Sequence, residues 1–153
     1  GWAGAHAACL SEPGFSVVGL DFVPAALGHA RQRADHAGVE VEWVESDVLA
    51  YDPAASFDVV VDSGCLHHVP SNLVDAYRAR LDRWLLPGGD YLLVHFSKRH
   101  ALDWRPVGPR RVNKPNLVRL FAPLRLEAYD ETYFDLPFPI GRSLAGIYWF
   151  RRD

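Results

Sequence analysis

The sequence predicts an α/β protein: a doubly wound, mostly parallel sheet with an antiparallel strand pair at its C-terminal end. Three observations predict it. The runs "FSVVGLDF", "FDVVVDSG" and "DYLLVHFS" are short, apolar and β-branched, as in strands buried on both faces. Helical stretches with breakers at their ends separate these runs, and that alternation closes as a parallel sheet with right-handed crossovers. The last third breaks the rhythm, placing two strand patterns in succession without a helix between them.

Each element has its own signal. A glycine turn over Gly1 to Gly4 leads into an Ala-rich helix from Ala5 to Leu10, halted by Pro13-Gly14. After the strand in "FSVVGLDF", Pro24 stands where the first turn of a helix tolerates it, and "AALGHARQRADHA" continues the helix to Gly38. "VEVEWVESD" alternates as a strand. The loop "VLAYDPAAS" leads to the third apolar strand, "FDVVVDSG". "SNLVDAYRARLDRWL" is amphipathic, with Ser71 expected as its cap and Pro87-Gly88-Gly89 closing it before the strand "DYLLVHFS". "HALDWRPVGPRR" reads as a long loop and "KPNLVRLF" as a short helix. "LRLEAYDETYF" and "LAGIYWFRR" are expected to pair antiparallel at the sheet's edge.

Composition sets the bounds. A chain of 153 residues that is 49% hydrophobic supports one domain, residues 1–153, with a sizeable core. Sixteen basic against 19 acidic residues leave a net charge of −3, which offers no field for a nucleic-acid or membrane partner. No stretch is apolar for long enough to cross a bilayer. Cys9 and Cys65 have neither disulfide nor zinc spacing and are expected as reduced, buried thiols of a cytoplasmic protein, with no metal site. The chain begins at Gly1 and contains no methionine, so it is expected to be part of a longer protein whose first strand precedes the glycine turn.

Ligands of open α/β sheets bind beyond the carboxyl ends of the strands. Those ends carry Gly1 and Gly4, then Asp21-Phe22, Asp47-Val48, Asp62-Ser63-Gly64 and His95-Phe96-Ser97. Glycines permit close backbone approach, and the helix from Ala5 offers free N–H groups to a negative group. Asp21 suits a pair of ribose hydroxyls. Asp47 suits an exocyclic amine such as adenine's, and Phe22 or Val48 could cover the ring faces.

The order of these pieces, "GAHAA", "VVGLDFVPAALGHARQRA", "ESDVLAY", "FDVVVDSGCLHHV" and "LLPGGDYLLVHFS", resembles the class I S-adenosylmethionine-dependent methyltransferases over about residues 1–97. The later stretch resembles more loosely the small-molecule group that includes thiopurine and tellurite methyltransferases. The resemblance implies a Rossmann-like fold, S-adenosylmethionine as cofactor and a small-molecule acceptor at S, O or N. It implies that Gly4 is the last glycine of the family loop, that Asp21 binds the ribose and that Asp47 lies near the adenine amine. Ser63 and Gly64 fall where the family's chain passes the methionine part. Trp2 stands where the family loop has a glycine, unless the register shifts onto Gly1.

A hydroxyl or amine acceptor would need a proton acceptor, for which His95, His67 and Asp62 are the candidates. Asp62 could equally cap the next turn, and His67 or His95 could be structural. Trp104, Arg110 and Arg111 lie in the long loop and are the substrate candidates, the arginines suiting an anionic acceptor. Two other readings share the pattern: a nicotinamide-dependent oxidoreductase, and a non-catalytic module built on a degenerate methyltransferase fold.

Overall fold

The computed structural model describes residues 17–21, 24–38, 40–100 and 110–153. The chain falls into two compact units, residues 1–52 and 53–153.

The described residues of the first unit form a β-α-β element. Strand β1 (Val18–Asp21) and strand β2 (Glu42–Glu45) run parallel in the register Val18↔Glu42 to Asp21↔Glu45. Helix α1 (Pro24–Ala37) joins them and ends at Gly38, whose φ of 70° provides the left-handed exit that glycine allows. Leu27, Ala30 and Ala34, spaced by three and four, form the buried stripe of this helix. Gly19 is required by packing, because a Cβ there would overlap the Trp43 ring on the neighbouring strand.

The second unit is a four-stranded sheet in the order β3-β4-β6-β5. Strand β3 (Phe57–Ser63) is parallel to β4 (Leu85–Phe96), and helix α2 (Val74–Trp84) connects them. Helix α3 (Lys114–Leu120) follows, capped by Asn113, whose side chain accepts from the Asn116 N–H at 3.3 Å. Strands β5 (Arg125–Leu136) and β6 (Gly141–Arg151) pair antiparallel, and β6 also pairs antiparallel with β4. The antiparallel pair is therefore added to the parallel part as the sequence predicts, with β5 outermost.

Along β4, Tyr91, Leu93 and His95 are buried, while Asp90, Leu92, Val94 and Phe96 are half-buried. The buried face carries an aromatic cluster. Phe121 lies 5.0 Å from Tyr91 and 5.4 Å from Phe150, ring centre to ring centre, and Tyr148 stacks on Phe150 at 5.8 Å. Helix α2 contributes Tyr77, Leu81 and Trp84 at the i, i+4, i+7 spacing of a single helix face.

Two local expectations are corrected. Ser71 does not cap α2: it begins a short 3-10 turn, Ser71–Leu73, and α2 starts at Val74 with no side-chain cap. Pro87-Gly88-Gly89 does not separate helix from strand, since β4 already starts at Leu85. The pairing jumps from Phe57↔Leu85 to Val59↔Asp90, so the intervening residues bulge out. Backbone bonds to the far end of the chain hold them, Gly88 N–H to Arg152 O at 2.8 Å and Arg152 N–H to Gly89 O at 2.9 Å. Long-range pairing has overridden a local breaker signal. No helix among the described residues is long and apolar enough to cross a membrane.

Candidate functional site

In the first unit two carboxylates arrive at the same end of neighbouring parallel strands. Asp21 is the last residue of β1 and half-buried, and its carbonyl accepts from the Ser46 N–H at 3.1 Å. Asp47 opens the turn after β2. Its Oδ1 accepts from the Leu49 N–H at 2.8 Å and its carbonyl from Ala50 and Tyr51 at 2.9 and 3.0 Å. This Asx-type closure fixes Asp47 at the strand end with its side chain exposed and leaves Val48 half-buried beside it. Gly1, Gly4 and Phe22 lie outside the described residues.

In the second unit the end of β3 is bound to the turn that follows it. Asp62 is 4% exposed. Its Oδ1 accepts from the Cys65 N–H at 2.7 Å, and its Oδ2 accepts from the Leu66 N–H at 2.9 Å and the Tyr77 hydroxyl at 2.6 Å. Tyr77 and Tyr91 hydroxyls lie 3.0 Å apart, and since Tyr77 donates to Asp62, Tyr91 donates to Tyr77. Burial raises the Asp62 pKa and these hydrogen bonds oppose the rise. Burial and then the Asp62 charge push both tyrosines well above their ordinary range. Of the two roles open to Asp62, the geometry displays the cap. Within that turn Ser63 closes the strand and Gly64 takes φ of 110°, a region that residues with a side chain rarely adopt.

The next cluster is built on the 3-10 turn Leu66–His68 and the end of β4. The His67 ring lies 5.9 Å from His95, 5.0 Å from Phe96 and 4.4 Å from His68. His95 is fully buried, and its Nδ1 lies 2.9 Å from the Phe96 carbonyl. A carbonyl only accepts, so Nδ1 carries the proton and Nε2 is a lone-pair acceptor, enclosed and without a partner among the described residues. His67 Nδ1 is likewise enclosed and without a partner among the described residues. Burial, with the Arg110 charge adding to it, brings His95 down to about 4 against the pull of the Phe96 carbonyl. Burial, then His68, His95 and Arg110, bring His67 down to about 3. Both imidazoles are neutral near pH 7.

Arg110 reaches into the same place. Its Nη2 donates to Leu66 O at 3.1 Å and its Nη1 to Ser71 Oγ at 3.2 Å, while its Nε is enclosed without a partner among the described residues. The backbone beside it is anchored by Val112 N–H to Phe96 O at 3.0 Å. Arg111 is buried at 9% exposure. The structure thus gathers Asp62, Ser63, Gly64, His67, His95 and Arg110 around the ends of β3 and β4. Trp104 lies outside the described residues.

Cys65, expected buried, is exposed. The Asp62 cap holds its backbone and turns the side chain outward; Cys9 lies outside the described residues. The sequence reading missed Tyr77 and Tyr91, which stand inside ordinary helix and strand patterns with no local mark of their partnership. It also missed Ser71 as a partner of Arg110.

Each unit by itself is an α/β element with parallel strands that end on carboxylates, Asp21 beside Asp47 in the first and Asp62 in the second. Residues 2–89 match the methyltransferase domain family, and the chain belongs to it. It is 31% identical over 127 residues to a ubiquinone biosynthesis O-methyltransferase of Paramagnetospirillum magneticum, covering 72% of this chain and 50% of that one. It is 32% identical over 144 residues to a 2-heptyl-1-hydroxyquinolin-4(1H)-one methyltransferase of Mycobacteroides abscessus, covering 86% and 62%. Among solved structures, one described as the conversion of a disulfide bond into a thioacetal group during echinomycin biosynthesis superposes with a TM-score of 0.72 at 26% identity, covering 95% of this chain and 70% of that one. The chain spans about half to three-fifths of the length of the two curated relatives.

Proposed function

We propose that the protein transfers a methyl group from S-adenosylmethionine to a small-molecule acceptor. The family match over residues 2–89, running through both units, is the observation that carries this reading. The names of the two relatives, one for ubiquinone biosynthesis O-methylation and one for a hydroxyquinolone, support a small molecule as acceptor. In this reading residues 1–153 work as a single domain in the cytoplasm, with no nucleic-acid or membrane partner.

The residues present fit the cofactor in the chemistry of their donor set. Asp21 and Asp47 place two acceptor carboxylates at adjacent strand ends, suited to ribose hydroxyls and an adenine amine. Gly1 and Gly4 would let the backbone approach, Phe22 and Val48 would cover the ring, and Ser63 and Gly64 would flank the methionine part. The sulfonium supplies an already activated methyl group, so the protein's work is to align the acceptor and exclude water.

On the acceptor side, His95 Nε2 is the atom that can receive a hydrogen bond from a hydroxyl or N–H. With its pKa near 4 it serves as an orienting acceptor, and as a base only toward an acidic group. His67 shapes the wall beside it. Asp62 acts by holding the turn, and Trp104, Arg110 and Arg111 bind substrate.

Calorimetric titration of S-adenosylhomocysteine and of NAD into the full protein tests this. S-adenosylhomocysteine should bind, and Asp21→Ala should weaken it by roughly tenfold or more, the effect of losing charge-assisted hydrogen bonds. Preference for NAD would favour an oxidoreductase. Binding of neither would favour a non-catalytic module.

A further inference from the structure

We propose that the acceptor is an anionic small molecule, its charged oxygens held by Arg110 and a hydroxyl or N–H of the same molecule donated to Nε2 of His95. The word acceptor rests on the methyltransferase reading; the anion site stands on its own geometry.

Among the described residues Arg110 is a cation without a counter-charge. Its two hydrogen bonds go to neutral oxygens, Leu66 O and Ser71 Oγ, and no carboxylate pairs with it among the described residues. A guanidinium does not shed its proton, so partial burial leaves a charge that an anion would satisfy. The acid of the neighbouring turn, Asp62, is already occupied by Cys65, Leu66 and Tyr77. The enclosed Arg110 Nε also lacks a partner among the described residues, and an oxygen of a carboxylate-like group reaching it would complete its hydrogen bonding.

The second requirement comes from His95. It is 0% exposed, its Nδ1–H is committed to the Phe96 carbonyl, and its Nε2 has only a lone pair to offer. An anionic oxygen at that nitrogen would be repelled, whereas an O–H or N–H would satisfy it. The site therefore asks for two chemistries in one ligand, an anion for Arg110 and a hydrogen-bond donor for His95. His67 stands against His95 as a second neutral imidazole and adds no positive charge near pH 7.

3-Hydroxybenzoate carries both features, its hydroxyl being too far from its own carboxylate to pair with it, and 3-hydroxybenzamide lacks the charge, so this pair is the probe. In calorimetry with the full protein, 3-hydroxybenzoate should bind at least roughly tenfold more tightly than 3-hydroxybenzamide, the size of one charge-assisted hydrogen bond. Arg110→Gln should abolish that preference, and Arg110→Lys should keep part of it. A second readout needs no variant. In nitrogen NMR of the unsubstituted protein near pH 7, bound 3-hydroxybenzoate should shift the His95 Nε2 resonance, the signature of a hydrogen bond accepted at its lone pair.

Equal affinity for the two probes, absence of 3-hydroxybenzoate binding, or an unmoved His95 Nε2 resonance overturns the proposal. Loss of 3-hydroxybenzoate binding when S-adenosylhomocysteine saturates the protein also overturns it, by giving the anion site to the cofactor's own carboxylate. Discrimination between the probes without any S-adenosylhomocysteine binding leaves the anion site standing and removes the methyltransferase reading instead. S-adenosylhomocysteine binding without that discrimination does the reverse.

Discussion

The molecule contains two parallel strand pairs, and they are held in different ways. In β1–β2 the strands are four residues long, every residue of β1 is half-buried, and the helix covers them with one leucine and two alanines. In β3–β4 the second strand is twelve residues long and alternates into a core of stacked aromatics. The first pair presents acids at its ends, Asp21 and Asp47, on strands with little apolar weight behind them. The second presents groups that require burial, a capped carboxylate, two neutral imidazoles and an arginine. Hydrogen-bonding a polar ligand calls only for a fixed strand end, whereas setting the protonation state of a histidine calls for a dry surrounding.

The largest expected effect that tests this contrast comes from emptying the aromatic centre. Phe121 is fully buried between Tyr91 and Phe150. Phe121→Ala should cost about 3–5 kcal/mol in urea unfolding, the range for removing a buried aromatic. A loss well under that would mean that the second unit does not rest on its aromatic core.

The next effect is a pH dependence. His95 has a pKa of about 4 in the folded protein against an ordinary 6.5. Between those values the unfolded chain binds the extra proton, so stability falls as pH drops through the window and levels off below about 4. The full loss attributable to His95 is about 3 kcal/mol at about 1.4 kcal/mol per pH unit. His67 adds a loss in the same direction that continues to about pH 3. Urea midpoints measured across this range should fall less steeply in His95→Asn than in the unsubstituted protein. Equal slopes would place His95 in a wet environment and erase the distinction between the two strand pairs.

The smallest effect is expected at the rim of the same sheet. Arg125 pairs with Glu127 at 2.6 Å and Asp153 at 3.2 Å, with Arg125 and Asp153 largely open to solvent. Arg125→Ala should leave the urea midpoint unchanged within error, because exposed pairs are screened and cost side-chain freedom. A clear drop would show that the edge strand contributes as the core does.

Much of this was legible in the sequence because it is written locally. Asp21 follows an apolar run and Asp47 an alternating one, so both had to fall at strand ends, and the antiparallel close was visible once two strand patterns met without a helix. What escaped depends on residues brought together from a distance. Tyr77 and Tyr91 look like core positions of a helix and a strand, and only their placement shows one donating to Asp62 and the other completing the chain. Pro87-Gly88-Gly89 reads as a stop, yet pairing with Arg152 draws it into the sheet. Cys65 was expected inside by residue type, but the Asp62 cap fixed its backbone in a turn that faces out.

The strand order β3-β4-β6-β5 has a consequence for how the chain is made. The last of these strands to leave the ribosome, Gly141–Arg151, does not take the outer position but inserts between two made before it. Until residue 151 has emerged, β4 keeps one open edge and β5 has no sheet partner, so nascent chains carry an unpaired, apolar strand edge. Stalled translation products that end before residue 141 should therefore be the species most dependent on ribosome-associated chaperones.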